Sequence, residues 1–155
     1  MRPVDTSSGQ RLTTLLTVGL GLLYPSGAQA QSVWDGVYTS VQADRGALVY
    51  RQACRKCHFA DLSGAGDAGA TPGEVPPALA GATFLERWTG VPLSELVLAV
   101  SRGMPGDRPG TLRPQATADV VSYILQANNF PTGERELPSE PERLETVVIT
   151  EQPTP

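Results

Sequence analysis

Hydrophobic residues recur at helical spacing in three stretches of the chain, separated by polar segments rich in glycine and proline. The first stretch predicts a helix that begins near Asp44, a suitable N-cap, and has the motif CRKCH of residues 54–58 on its last turn. The apolar stripe of this helix comprises Gly46, Val49, Tyr50, Ala53 and Cys57.

The second helix is predicted to start near Pro92 and the third at Pro114, because proline suits the first helical turn. The apolar face of the second helix comprises Leu93, Leu96, Val97 and Val100, and that of the third comprises Val120, Tyr123, Ile124 and Ala127. A short helix is expected at residues 83–88, and residues 61–78 are expected to form an extended loop. No strand pattern or internal repeat is found, so the pattern predicts a small all-α domain of three to five short helices.

The first 30 residues have the pattern of a removable export signal. The apolar run of residues 12–23 is followed by Ala28-Gln29-Ala30, which fits the small-x-small pattern of a cleavage site. An uncleaved anchor is the alternative, but the run is short for a membrane span. We therefore expect a periplasmic mature chain that starts at Gln31 and contains no membrane span.

Three segments follow the signal. Residues 31–41 form an N-terminal arm, and residues 42–130 contain the helical patterns and are expected to be the folded domain. Residues 131–155 are acidic, rich in proline and without helical period, so we expect this tail to be mostly disordered.

Removing residues 1–30 changes the formal net charge from −4 to −5. An acidic chain without a basic patch in its sequence is a poor candidate for binding nucleic acid or anionic lipid.

The motif CRKCH contains both cysteines and the only histidine of the chain. A structural zinc site needs a second Cys/His pair, which is missing. A disulfide between Cys54 and Cys57 is possible, but it closes a tiny loop and stabilises little. A thioredoxin-like redox motif should follow a strand in a βαβ pattern, and the sequence shows no such pattern. C-x-x-C-H is the signature of covalent c-type haem attachment, with His58 as the proximal ligand of the iron. We therefore predict one haem c per chain.

The sixth position on the iron is left to methionine, water or a rarer ligand, because the chain has no second histidine. Met1 belongs to the signal, so Met104 is the only methionine of the mature chain. A lone methionine is commonly core filler at a helical position. Met104 instead follows a helix in a loop of glycine and proline, so we interpret it as the second axial ligand.

Several segments, in the right order, resemble the small monohaem class I cytochromes c over about residues 42–130. GALVYRQACRKCH at 46–58 resembles the family's N-terminal helix and haem motif, and PALAG at 77–81 resembles its P-x-L-x-G segment. RGMP at 102–105 resembles the distal methionine loop, and DVVSYIL at 119–125 resembles the C-terminal helix. The resemblance implies a cytochrome c fold of short helices wrapped around one haem.

The resemblance also implies particular contacts. The Pro77 carbonyl is expected to accept a hydrogen bond from His58 Nδ1, with Pro76 as the alternative acceptor. Tyr123 of the last helix is expected to cross the first helix at Gly46, where the missing Cβ lets two helices touch.

The resemblance implies an electron-transfer protein rather than an enzyme: a one-electron carrier between a donor and an acceptor redox protein. The N-terminal arm resembles one in cytochromes found beside, or fused to, quinoprotein dehydrogenases, so such a dehydrogenase is one expected partner. A terminal oxidase is the other. One alternative is a haem-bearing subunit of a larger quinoprotein-type dehydrogenase, docked through the acidic tail. The other is an open-site haem enzyme or sensor in which Met104 does not bind.

Overall fold

The computed structural model describes residues 31–64 and 76–153, so the predicted export signal and part of the 61–78 loop lie outside the described residues. In these ranges the fold is mostly helical, which confirms the all-α prediction. The helices are α1 (Ser40–Ala53), α2 (Arg55–His58), α3 (Ala82–Trp88), α4 (Leu93–Gly103) and α5 (Pro114–Ala127). Short 3-10 helices lie at Val33–Asp35 and Pro141–Leu144.

The first helix starts earlier than its predicted cap. Thr39 is the N-cap, and its side-chain oxygen accepts a hydrogen bond from the backbone N–H of Gln42 at 3.1 Å. The prediction of Asp44 as the cap was wrong, since a threonine one turn upstream was already able to cap the helix. Helix α1 also ends earlier than predicted, at Ala53, and Arg55–His58 form the separate turn α2.

The contact between α1 and α5 is very close, and Gly46 makes it possible. A Cβ built on Gly46 would lie 1.9 Å from the backbone oxygen of Asp119 and 2.9 Å from Cβ of Tyr123. One turn further along α1, the rings of Tyr50 and Tyr123 are 5.2 Å apart between centroids. The predicted crossing of the two helices at Gly46 is therefore confirmed.

The prediction that the tail is disordered is wrong for residues 131–153. Four apolar side chains of the tail are at most 4 % exposed: Leu137, Leu144, Val147 and Ile149. The Gln42 amide of α1 holds the tail backbone with two hydrogen bonds, donating to the Leu137 oxygen at 3.0 Å and accepting from the Leu137 N–H at 2.6 Å. These apolar residues are spaced irregularly, so no helical or strand period reveals them, yet each one belongs to the hydrophobic core.

The sequence shows no strand pattern, yet the structure contains two strands of two residues each. Gln31–Ser32 (β1) and Val147–Val148 (β2) form a two-stranded parallel sheet, with Gln31 paired to Val147. The Trp34 indole N–H donates to the Thr150 oxygen at 2.9 Å. The sheet was missed because two residues per strand are too few for an alternating pattern. The arm and the tail are thus fastened to each other as well as to the helices.

Within the described ranges, none of the helices combines the length and the apolar character that a membrane span requires.

Candidate haem attachment site

The motif CRKCH folds into one tight turn at the end of α1. The N–H of Cys54 donates to the Tyr50 oxygen at 2.9 Å and closes α1. The N–H groups of Cys57 and His58 then both donate to the Cys54 oxygen, at 3.1 and 3.0 Å. Residues three and four apart on a helical turn are surface neighbours. The turn therefore places both thiols and the imidazole next to one another.

The thiols are free, and no disulfide joins Cys54 to Cys57. Cys57 is exposed, whereas Cys54 is partly buried. Burial, with a smaller contribution from the Cys57 charge, raises the pKa of the Cys54 thiol to about 11. The Cys54 sulfur thus remains protonated at neutral pH.

The imidazole of His58 is buried, at 5 % exposure, and is held by a backbone carbonyl. Its Nδ1 lies 2.8 Å from the Pro77 oxygen. A carbonyl oxygen only accepts, so Nδ1 carries the proton and Nε2 keeps the lone pair with which it can bind a metal. The bond also fixes the ring orientation, as outer partners of metal-bound histidines do.

A close backbone approach allows this bond. Gly64 has a φ of +64°, and a Cβ built on it would lie 2.6 Å from both the Pro76 oxygen and the Pro77 carbonyl carbon. The Gly64 N–H donates to the His58 oxygen at 3.2 Å. Gly64 was not singled out from the sequence because it is one of several glycines in a glycine-rich loop. Its role depends on a neighbour that lies 12 residues away in the chain.

Two further side chains position the site. The Tyr50 hydroxyl donates to the backbone oxygens of His58 at 3.2 Å and Phe59 at 2.8 Å, which ties α1 to the residue after the motif. Buried Asn128 accepts from the Gly81 N–H at 3.0 Å and donates to the Leu79 oxygen at 2.9 Å. Asn128 is the C-cap of α5. In the fold it also attaches the segment that follows Pro77 to the end of α5.

Met104 lies apart from this hydrogen-bonded group, in the loop that follows α4. Its backbone is extended, its N–H donates to the Val100 oxygen at 3.0 Å, and its side chain is partly buried against the core. The Gly110 N–H donates to the Met104 oxygen at 3.3 Å, so the loop turns back on itself. Met104 is therefore a loop residue, not core filler on a helix.

The donor set fits a covalent haem and does not fit a protein-bound metal cluster. In residues 31–64 and 76–153 no group of three or more His, Cys, Asp or Glu side chains is placed to hold a metal ion. Two free thiols lie in the same turn as a buried imidazole, whose Nε2 is not used by the bond to Pro77. Apolar side chains that are partly buried against the core include Leu79, Trp88, Met104 and Leu112.

Comparison with known proteins agrees with this chemistry. Residues 41–124, more than half of the 155 residues, match the family model described as cytochrome c oxidase, cbb3-type, subunit III. No curated protein gives a significant match. The search of solved structures gives no significant match either.

The matched range contains nearly all of α1, the CRKCH turn, the Pro77 segment, the Met104 loop and most of α5. Family membership implies a covalently bound haem c and a role in electron transfer. The chain therefore belongs to the family of cytochrome c oxidase, cbb3-type, subunit III, and is a monohaem c-type cytochrome of class I.

Proposed function

We propose that this cytochrome is a periplasmic one-electron carrier in which His58 and Met104 are the two axial ligands of the haem iron. The observation that supports it best is the 2.8 Å contact between His58 Nδ1 and the Pro77 oxygen. This bond fixes a buried ring and leaves only Nε2 for the iron. The partly buried, loop-borne Met104 supports the second ligand, because it is the only thioether after the predicted signal.

When bound, the haem iron supplies the one-electron chemistry. Cys54 and Cys57 would hold the porphyrin through thioether bonds. The Pro77 carbonyl would make the imidazole a stronger donor, and the burial of His58 would limit the access of water to its ring. A methionine in place of a second nitrogen ligand raises the reduction potential.

A substitution of Met104 tests the ligand set. Met104→Ala should keep the covalent haem but give a high-spin ferric spectrum and rapid carbon monoxide binding to the ferrous form. Met104→His should stay low-spin and have a lower midpoint potential, because a nitrogen ligand favours ferric iron. Both effects are measured by absorption spectroscopy and redox titration of purified holoprotein.

The wild type is the control for these variants. It should be low-spin and bind carbon monoxide slowly. A wild type that binds carbon monoxide as fast as Met104→Ala would eliminate Met104 as a ligand and favour the open-site enzyme or sensor.

Export is tested by intact mass of periplasmic material, which should correspond to residues 31–155 plus one haem. A mass that includes residues 1–30 would show a retained signal.

The family description supports a terminal oxidase as the electron acceptor. A quinoprotein dehydrogenase as the donor rests on the resemblance of the N-terminal arm alone. A second candidate function is that of a haem-bearing subunit of a larger oxidoreductase, such as a quinoprotein-type dehydrogenase. Co-purification of the intact chain in mild detergent separates the two: a carrier elutes alone, and a subunit elutes with its complex.

A further inference from the structure

A cavity of about 730 Å³ lies between the N-terminal arm, α3, the end of α5 and the last described residues of the tail. We call it the arm–tail cavity and define it by Trp34, Glu86, Asn128 and Glu151, which all line it. Small-molecule sites usually have volumes of about 300–1,000 Å³. The described lining residues include neither Met104 nor any residue of the CRKCH motif, so the cavity is separate from the residues assigned to the haem.

Hydrogen bonds hold the walls of the arm–tail cavity in place. The Trp34 indole N–H of the arm donates to the Thr150 oxygen of the tail at 2.9 Å, and the hydroxyls of Ser32 and Thr150 are 2.7 Å apart. At the end of α5, the amide of buried Asn128 donates to the Leu79 oxygen at 2.9 Å. The cavity is therefore formed without a ligand, as small-molecule sites usually are.

The apolar part of the lining includes an aromatic ring and an aliphatic side chain. Trp34 and Leu85 both line the cavity and are partly buried. Because the Trp34 N–H already has an acceptor, this side chain offers a ligand its ring rather than a hydrogen bond. An edge contact with Phe130, with 4.8 Å between ring centroids, holds the indole in position. Tryptophan is the aromatic side chain that attracts cations best.

The charged side chains of the cavity all have the same sign. Glu86 of α3 and Glu151 of the tail are exposed at its edge, and the described lining residues include no Lys, Arg or His. Neither carboxylate forms a salt bridge with a residue in the described part of the chain. Exposed carboxylates alone are ordinary surface groups. Two of them on the same concave surface as an indole ring favour a ligand that is both positively charged and partly apolar.

We propose that the arm–tail cavity binds a small organic cation, an amine whose apolar body has about the size of one ring. The ammonium group pairs with Glu86 and Glu151, and the apolar body lies against Trp34 and Leu85. This site goes beyond electron transfer, because it contains none of the residues assigned to the haem. It also gives a role to the arm and the tail, which the carrier function leaves without one.

Titration of the reduced holoprotein with three probes of similar size tests the proposal. Benzylamine is a cation, benzyl alcohol is neutral and benzoate is an anion. Calorimetry measures the dissociation constant, and the indole N–H resonances of Trp34 and Trp88 report the place of binding. Benzylamine should bind with a dissociation constant of about 1 mM or lower. Benzyl alcohol should bind at least about tenfold more weakly, because it lacks the charge that the carboxylates pair with. Benzoate should not bind.

Substitution of the two carboxylates tests their part in binding. Glu86→Gln should weaken benzylamine binding by about two- to fivefold, the range expected for a partly exposed ion pair. Adding Glu151→Gln should bring the loss to about tenfold, since both carboxylates are then neutral. Glu145→Gln is the matched control, because Glu145 is an exposed tail carboxylate that does not line the cavity and forms no salt bridge with the described residues. It should leave the dissociation constant unchanged.

Four results would overturn the proposal. The first is the absence of both heat and resonance shifts at about 10 mM benzylamine. The second is equal affinity for benzylamine and benzyl alcohol, which would show that charge is not recognised. The third is an equal loss in Glu86→Gln and Glu145→Gln, which would show that only net charge matters. The fourth is a shift of the Trp88 resonance without one of Trp34, which would place the probe elsewhere. Reversible reduction of the haem is measured separately, so its loss would refute the carrier function alone.

Discussion

Replacing Gly46 with alanine adds a single methyl group at the tightest point between α1 and α5. Its Cβ would lie 1.9 Å from the Asp119 oxygen, whereas ordinary contact begins at 3.4 Å, so the helices must separate by about 1.5 Å. The obstacle is backbone, which cannot rotate away as a side chain can. Alanine gains up to about 1 kcal/mol over glycine in helix propensity, but overpacking typically costs about 1–3 kcal/mol.

We expect Gly46→Ala to lower the free energy of unfolding of the holoprotein by about 1–3 kcal/mol, measured by guanidinium denaturation followed by circular dichroism. Gly103→Ala is the matched control, because Gly103 is also helical and a Cβ built there meets no atom within 4 Å. Gly103→Ala should be neutral or stabilising. If Gly46→Ala is as stable as the wild type, then α1 and α5 do not cross at this residue and the packing described above is wrong.

Three further predictions concern stability and haem retention. Changing Cys54 and Cys57 together to alanine should abolish haem that stays bound after denaturation and leave a largely unfolded apoprotein, seen as loss of cooperative melting; retained haem would contradict the attachment site. Gln42→Ala should leave the buried N–H and oxygen of Leu137 unpaired, at about 1–3 kcal/mol for each group, and make the tail sensitive to limited proteolysis; an equally resistant tail would contradict the observed hydrogen bonds. Burial raises the pKa of Tyr38 to about 12. Its stabilisation is therefore complete below about pH 10 and is lost as the pH rises through 12, by up to about 3 kcal/mol. Tyr38→Phe should show a smaller alkaline decrease in unfolding free energy, and an unchanged decrease would rule out this phenol as a cause.

The parts of the fold that follow helical periodicity were predictable. The apolar stripes predicted the helices. The contact at Gly46 was predicted from the family resemblance, and it has a clear physical reason, because a missing Cβ lets two helices touch. The start of α1 was predicted too late in the chain, because Thr39 and Asp44 are both acceptable caps and local sequence does not decide between them.

The tail was not predictable because its structure is tertiary. Leu137 and Ile149 lie in a segment whose composition is typical of disorder, and their order depends on distant groups such as the buried amide of Gln42. Gly64 was missed for the same reason, since its constraint is a proline carbonyl that only folding brings near. The haem motif needed no such context, because its chemistry lies within one turn.

The pairing of β1 with β2 has a consequence for the order of assembly. Gln31 and Val147 are partners although 116 residues separate them in the chain, so the sheet forms only after nearly all of the polypeptide is present. The CRKCH turn closes with bonds that span at most four residues. Closing a long loop costs more chain entropy than closing a short one. If folding begins at the haem turn, β1 is therefore expected to pair with β2 late.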